Sequence, residues 1–398
     1  MENGILITSG CPLSRDLELR ASVVAAAAGK DATAVDRDGG FPAEAFATAR
    51  NQRLLGLLVP SEFGGEGARL QDVVDICYML GAACGATGMI FAMHQIMVAI
   101  LVRHARDDSW YRQFLTRLID EQLLIASSTT EGQGGGDLRS SVCAVERTGG
   151  RIRLAKSATV MSYGGQADAI LTTARRTPES EPSDQVLVTL VKGEYELDPI
   201  MEWDTLGMRG TCSRGFMLKG VGKVDQVIPD PYQKIQAETM MPVAHLTWSA
   251  VWAGLAAAAV ERARRFVRST IRRGDAQLPP GAAHLTRASM SLRALRGMVS
   301  AALDRYETAA ADSDELGSLD FQNSMNLLKV STSELAIATV MSALQACGLA
   351  GYRNDGEFSI SRQIRDVLSS SLMINNDRIL TNSAAAVLAL EVPQTLRN

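Results

Sequence analysis

The 398-residue chain reads as an α+β protein that is mainly α, with a helical N-terminal domain (residues 1–122), a small antiparallel β domain (123–231) and a C-terminal helical bundle (232–398). Three observations predict this. Apolar residues recur at helical spacing in the first third and again from Val243 onward. Between those stretches glycine becomes dense and short alternating or β-branched runs take over. The length also exceeds what one hydrophobic core supports.

In chain order, helices are expected over 16–28, which is Ala-rich, over 42–55 after Gly39-Gly40, over 71–83 and over 110–122. The uncharged stretch 76–102 is long enough to span a bilayer. However, Gly81, Gly85, Thr87, Gly88, His94 and Gln95 lie within it, and 85–88 reads as a break between two buried helices, so no membrane span is expected. Strands are expected over 144–154, 169–175, 185–191 and 216–227, with 179–184 as a surface hairpin loop and Pro229-Asp230-Pro231 as the linker out. The uncharged run 245–260 then flows into a basic stretch, 262–273. Long periodic segments follow over 282–311, 321–347 and 360–390.

Composition bounds the function. A net charge of -4 gives no electrostatic reason for nucleic acid as a partner. The six cysteines, at 11, 77, 84, 143, 212 and 347, form no CxxC pair or Cys/His cluster. That pattern predicts neither a metal site nor a disulfide framework and fits a reducing cytoplasm. The first residues carry neither a basic region nor a long apolar core, so no signal peptide is expected.

The chemistry-bearing segment at the entrance to the β domain is Ala-Ser-Ser-Thr-Thr-Glu-Gly-Gln-Gly-Gly-Gly-Asp (126–137). Backbone N–H groups in a Gly-rich loop with two threonine hydroxyls suit an anion or a polar ring edge. The same loop also serves as a flexible interdomain turn. Neither a GxGxxG after a strand nor a GxxxxGK[ST] is present, so Rossmann and P-loop readings fail.

In order along the chain, these segments resemble the acyl-CoA dehydrogenase family. Thr130-Glu131, Gly135 and Asp137 match its TEPxxGSD motif, and 161–168 (Met-Ser-Tyr-Gly-Gly-Gln-Ala-Asp) matches its WITNxxxAD. Leu206 to Thr211 matches LGMRGT, and Val227-Ile228-Pro229 matches VxVP. Gln345, Gly348, Gly351 and Tyr352 match QxxGGxGY, and Arg365-Asp366 the family's Arg-Asp pair.

The resemblance implies FAD held between the β domain and the C-terminal bundle, with a neighbouring subunit of a homodimer or homotetramer completing the site. It places Thr129, Thr130, Gly135, Gly136, Met161 and Ser162 along the isoalloxazine, where hydroxyls tune the ring. It places Gln345, Gly348 and Leu349 against the adenosine diphosphate part, Arg272 on the pyrophosphate, and Asn376 and Arg378 nearby. The implied activity is α,β-desaturation of an acyl thioester, carried by CoA or a carrier protein, with a separate electron acceptor. Gly136 stands where the family has a serine near the thioester.

One departure is decisive. The family's catalytic glutamate usually stands eight residues after the Asp of the Arg-Asp pair, and that position is Ile374. The alternative position, immediately before His245, is Ala244. Three residues offer a relocated base: Asp377, one turn past Ile374 if the backbone stays helical, then His245, then Glu131. A lone helical histidine such as His94 or His245 is also an ordinary satisfied core residue. The first alternative is a flavin monooxygenase fed by a flavin reductase, with Asn375-Asn376 and His94 or His245 stabilising a peroxyflavin. The second is a non-catalytic flavin-binding partner subunit.

Overall fold

The computed structural model describes residues 13–132, 140–273, 278–392 and 394–395. The N-terminal domain contains α1 (Arg15–Asp38), α2 (Ala43–Asn51), α3 (Leu70–Ala83), α4 (Gly85–His104) and α5 (Ser109–Glu121). Ser14 caps α1, its hydroxyl accepting from Leu17 N at 3.2 Å. The helix runs well past the expected end because Ala32 and Val35 continue the buried stripe of Leu17, Ala21, Val24 and Ala28. It stops at Gly39, whose left-handed backbone (φ 64°) suits a residue without Cβ.

The expected break at 85–88 lies one residue earlier, at Cys84, whose backbone is extended. Gly85 to Gly88 form the first turn of α4 instead. Their neighbourhood explains the small residues. A Cβ on Gly88 would collide with Gly81 of α3, and one on Gly81 with the Val251 backbone. Glycine here permits close helix packing rather than chain breaking. α4 is long and apolar enough to cross a membrane, and 83% of its most apolar window is buried inside the protein.

The β domain is two sheets, not a purely antiparallel unit. One orders β1 (Ile125–Ser128), β4 (Ala169–Arg175) and β5 (Gln185–Val191), with β1 parallel to β4. The other orders β2 (Glu146–Thr148), β3 (Arg151–Met161), β7 (Arg214–Lys223) and β6 (Tyr195–Met201), all antiparallel. The expected strand 144–154 is a hairpin, because Gly149 and Gly150 adopt positive φ (54° and 79°) in its middle. β6 escaped the sequence reading because its residues, including Asp198 and Pro199, are mostly exposed. β4 and β5 coincide with the expected strands, joined across 179–184.

A short helix, α6 (Tyr232–Ile235), and a π-helical turn (Gln236–Met240) lead into α7 (Met241–Arg273). Then follow α8 (Ala282–Ala309), α9 (Ser313–Gly317), α10 (Leu319–Cys347), α11 (Leu349–Tyr352), α12 (Ser361–Leu368) and α13 (Asn376–Ala389). The expected helix 360–390 is therefore interrupted. Ile374 takes a left-handed conformation (φ 43°), and the Asn375 side chain then caps α13 by accepting from Asp377 N at 2.8 Å.

One apolar core runs through all three parts. The motifs LGMRGT and Arg-Asp meet at the junction of β domain and bundle. Met208 N donates to Asp366 Oδ1 at 2.7 Å, and a Cβ on Gly207 would collide with the Arg365 carbonyl. Arg365 in turn pairs with Asp36 at the end of α1.

Candidate functional site

The residues expected along a flavin lie at strand ends. Thr129 and Thr130 follow β1, while Met161, fully buried, ends β3 and Ser162 follows it. The structure brings these together: Thr130 Oγ1 donates to Val160 O at 3.2 Å. Ser162 Oγ lies 2.7 Å from Ser213 Oγ, itself 2.8 Å from Thr211 Oγ1. Ser128 Oγ, two residues ahead of Thr130, is buried without a partner. Neutral, partly unspent hydroxyls of this kind fit the polar edge of a flavin ring. Gly135, Gly136 and Asp137 lie outside the described residues.

Gln345, Gly348 and Leu349 form a second, exposed group where α10 passes into α11. Arg272 is exposed in the last turn of α7. Among the described residues no hydrogen bond joins either to the Thr130–Ser162 group. Arg378 is half-buried on α13.

Three expectations need correction. Asp377 does not continue a helix from Ile374, because the left-handed residue turns the chain; its side chain is exposed in the first turn of α13. Glu131 is spent on its own loop, accepting from Ser141 Oγ (2.6 Å), Val142 N (2.9 Å) and Cys143 N (2.7 Å). The Asn376 amide is engaged within the bundle: its Oδ1 accepts from Lys329 Nζ at 2.7 Å and its Nδ2 donates to Ser333 Oγ at 3.0 Å.

The segment around Ile374 instead closes a polar seam between α7 and α10. His245, Trp248 and Trp252 share one face of α7 by their spacing of three and four. Opposite stand Met325, Lys329, Thr332 and Ser333 of α10. His245 Nδ1 lies 2.9 Å from the Met325 carbonyl, Ser249 Oγ 2.7 Å from Thr332 Oγ1, and Lys329 Nζ 5.8 Å from the Trp252 ring centre.

The electrostatics follow from burial. Loss of hydration pushes His245 down to about 4, so its imidazole is neutral at physiological pH. A carbonyl only accepts, so Nδ1 carries the proton and donates. Nε2 therefore keeps its lone pair, and it has no partner among the described residues. Lys329 is fully buried, and desolvation lowers it to about 8. Its Nζ donates to Ile374 O (3.0 Å) and Asn376 Oδ1, both neutral. The indole N–H groups of Trp248 and Trp252 are buried without acceptors. Leaving such a donor empty costs about 1–3 kcal/mol.

Lys329, Trp248 and Trp252 were missed in the sequence. A signal existed: Lys329 is the only charged residue between Asp320 and Glu334, in a helix of otherwise apolar or small polar residues. Both tryptophans fall on the same helical face as His245.

The helix–β–helix layout defines the class of fold. The chain belongs to the acyl-CoA dehydrogenase family: residues 16–122 match its N-terminal domain and 235–388 its C-terminal domain. It is similar to amino sugar nitrososynthase DnmZ of Streptomyces peucetius, 24% identical over 85% of this chain and 84% of that protein. It is also 24% identical to a dibenzothiophene monooxygenase of Rhodococcus erythropolis over 61% of this chain and 60% of that one. Among solved structures, the FMN-bound dibenzothiophene monooxygenase TdsC of a Paenibacillus species superposes with a TM-score of 0.83 at 19% identity, covering 96% of this chain and 98% of the other.

Proposed function

We propose that this chain is a flavin-dependent monooxygenase on the acyl-CoA dehydrogenase fold, supplied with reduced flavin by a separate reductase. One observation carries the reading. The position of the family's proton-abstracting carboxylate is Ile374, whose side chain cannot take a proton and whose carbonyl already accepts from Lys329. Desaturation needs a base there; oxygenation does not. The names of the relatives, a nitrososynthase and two dibenzothiophene monooxygenases, support the same choice.

When bound, the reduced flavin supplies the activation of dioxygen. Thr130 and Ser162 would hold the flavin through hydroxyl hydrogen bonds, and the FMN bound in TdsC supports FMN alongside FAD as its form. The buried seam excludes water, and the unpartnered His245 Nε2 offers a hydrogen-bond acceptor there. A homodimer or homotetramer is supported by exposed apolar residues on α10, α11 and α13, including Met341, Leu349, Tyr352, Leu380 and Leu388. The free thiols at 77, 84, 143, 212 and 347 fit a cytoplasmic location.

The unpartnered Nε2 of His245 also favours a second reading, an acyl-thioester dehydrogenase with a relocated base. One pair of assays separates them. The monooxygenase consumes oxygen only when a flavin reductase and NADH are present. The dehydrogenase bleaches its oxidised flavin anaerobically with a CoA or carrier-protein thioester; such bleaching overturns the monooxygenase reading.

A further inference from the structure

Lys329 is an unusual group to find at the base of this seam. Its side chain is fully buried, yet both hydrogen bonds it makes are to neutral oxygens. The carboxylate that acts on it, Glu334, stands exposed five residues on and forms no ion pair with it among the described residues. A buried ion without a counter-charge is strongly disfavoured. An ammonium has three N–H groups, and the two known bonds leave one unspent. Trp252, fully buried beneath the same ammonium, has an indole N–H with no acceptor. Among the described residues neither this third N–H nor the neighbouring Trp252 indole N–H has an oxygen acceptor, in a place where isoleucine rather than a carboxylate is supplied by the chain.

We propose that Lys329 and Trp252 form a cationic subsite for a singly charged oxygen anion on the substrate. It rests on the proposed function and on the position of the family's carboxylate, Ile374, lying against Lys329; there it inverts the family's charge, a cation awaiting the substrate's anion instead of a carboxylate awaiting its proton. The scaffold supports the role. Asn376 fixes Nζ from one side and is itself held by Ser333, and the left-handed turn at Ile374 directs its carbonyl inward. The ammonium is thereby oriented before any ligand arrives, which lowers the ordering cost of binding.

The test uses the purified flavin-loaded protein in its oxidised form, without reductase. Acetate, benzoate and benzenesulfinate are titrated against benzamide as the neutral control, with tryptophan fluorescence as the readout. At least one anion binds saturably, and benzamide about tenfold or more weaker, the effect of a charge-assisted hydrogen bond. Lys329→Met weakens the anion about 10- to 100-fold, Lys329→Arg retains most of it, and Trp252→Phe, which keeps the ring and loses the N–H, costs about fivefold. Equal anion binding by wild type and Lys329→Met overturns the proposal, as does the absence of any saturable response. If Lys329→Met does not fold, the anion-to-amide ratio in wild type and its collapse in Trp252→Phe decide. Oxygen consumption is measured separately, so failure of the monooxygenase reading leaves anion binding by Lys329 intact and is told apart from failure of the subsite.

Discussion

His94 and His245 lie in two helical regions and look alike by the usual measures. Both are essentially inaccessible to solvent, and burial pushes both down to about 4. Their hydrogen bonds differ. His94 uses both ring nitrogens, Nε2 at 2.7 Å from the Leu55 carbonyl and Nδ1 accepting from Ile125 N at 3.0 Å. It ties α4 to the chain after α2 and to the start of β1, and has nothing left for chemistry. His245 uses one nitrogen and keeps the other free beside Lys329. A buried, perturbed titratable group is thus a poor indicator of function until its hydrogen bonds are counted.

The comparison breaks most easily at His94. Replacing it with Ala leaves the Ile125 N–H buried and unpaired and the Leu55 carbonyl with only the longer bond from Gln95 Nε2 at 3.3 Å. The expected loss is about 4 kcal/mol of stability, read from denaturant midpoints. A loss below about 1 kcal/mol removes the structural half of the argument.

Acid unfolding gives the next largest effect. Each histidine has a folded value near 4, below its unfolded value of 6.5. Its contribution is complete above pH 6.5 and is lost as pH falls toward 4, about 3 kcal/mol each. Asp366, raised by burial to about 6, works the other way and regains stability as pH falls from 6. Stability measured from pH 7 to 4 should therefore fall less steeply in His245→Asn than in wild type. Identical slopes show that His245 is not held neutral.

The same variant sharpens the functional half. Asparagine keeps a donor toward the Met325 carbonyl and removes the Nε2 lone pair. Turnover should fall about 100-fold, with stability changed by less than about 1.5 kcal/mol. A matching loss of stability, or full activity, would return His245 to the core residues. The smallest effect belongs to Asp377→Asn. Removing an exposed carboxylate from the first turn of α13 costs about 0.5 kcal/mol and leaves turnover unchanged; a large drop in rate restores the relocated base.

Much of the fold was legible. β4 and β5 were placed to the residue, and α3, α5, α8 and α10 nearly so, because their burial is periodic and their ends carry ordinary stop signals. The family motifs also marked real junctions, as Met208 and Asp366 show. Less legible were segments whose partners lie far off in sequence. β1 pairs in parallel with β4, more than forty residues on, and no local pattern announces it. β6 is exposed and polar, so alternation gave no sign of it.

By itself the sequence determined the layout, the family and the empty place of the glutamate, since each depends on residue identity and spacing. Only the tertiary structure decided how the groups around it are buried and paired. One left-handed residue turns Asp377 out to solvent, and Glu131 and Asn376 are engaged by their neighbours. Lys329 emerged because α7, α10 and the Ile374 turn bury one charge together. Burial and pairing arise between segments brought close in space, and they set whether a charge is neutralised, idle or poised.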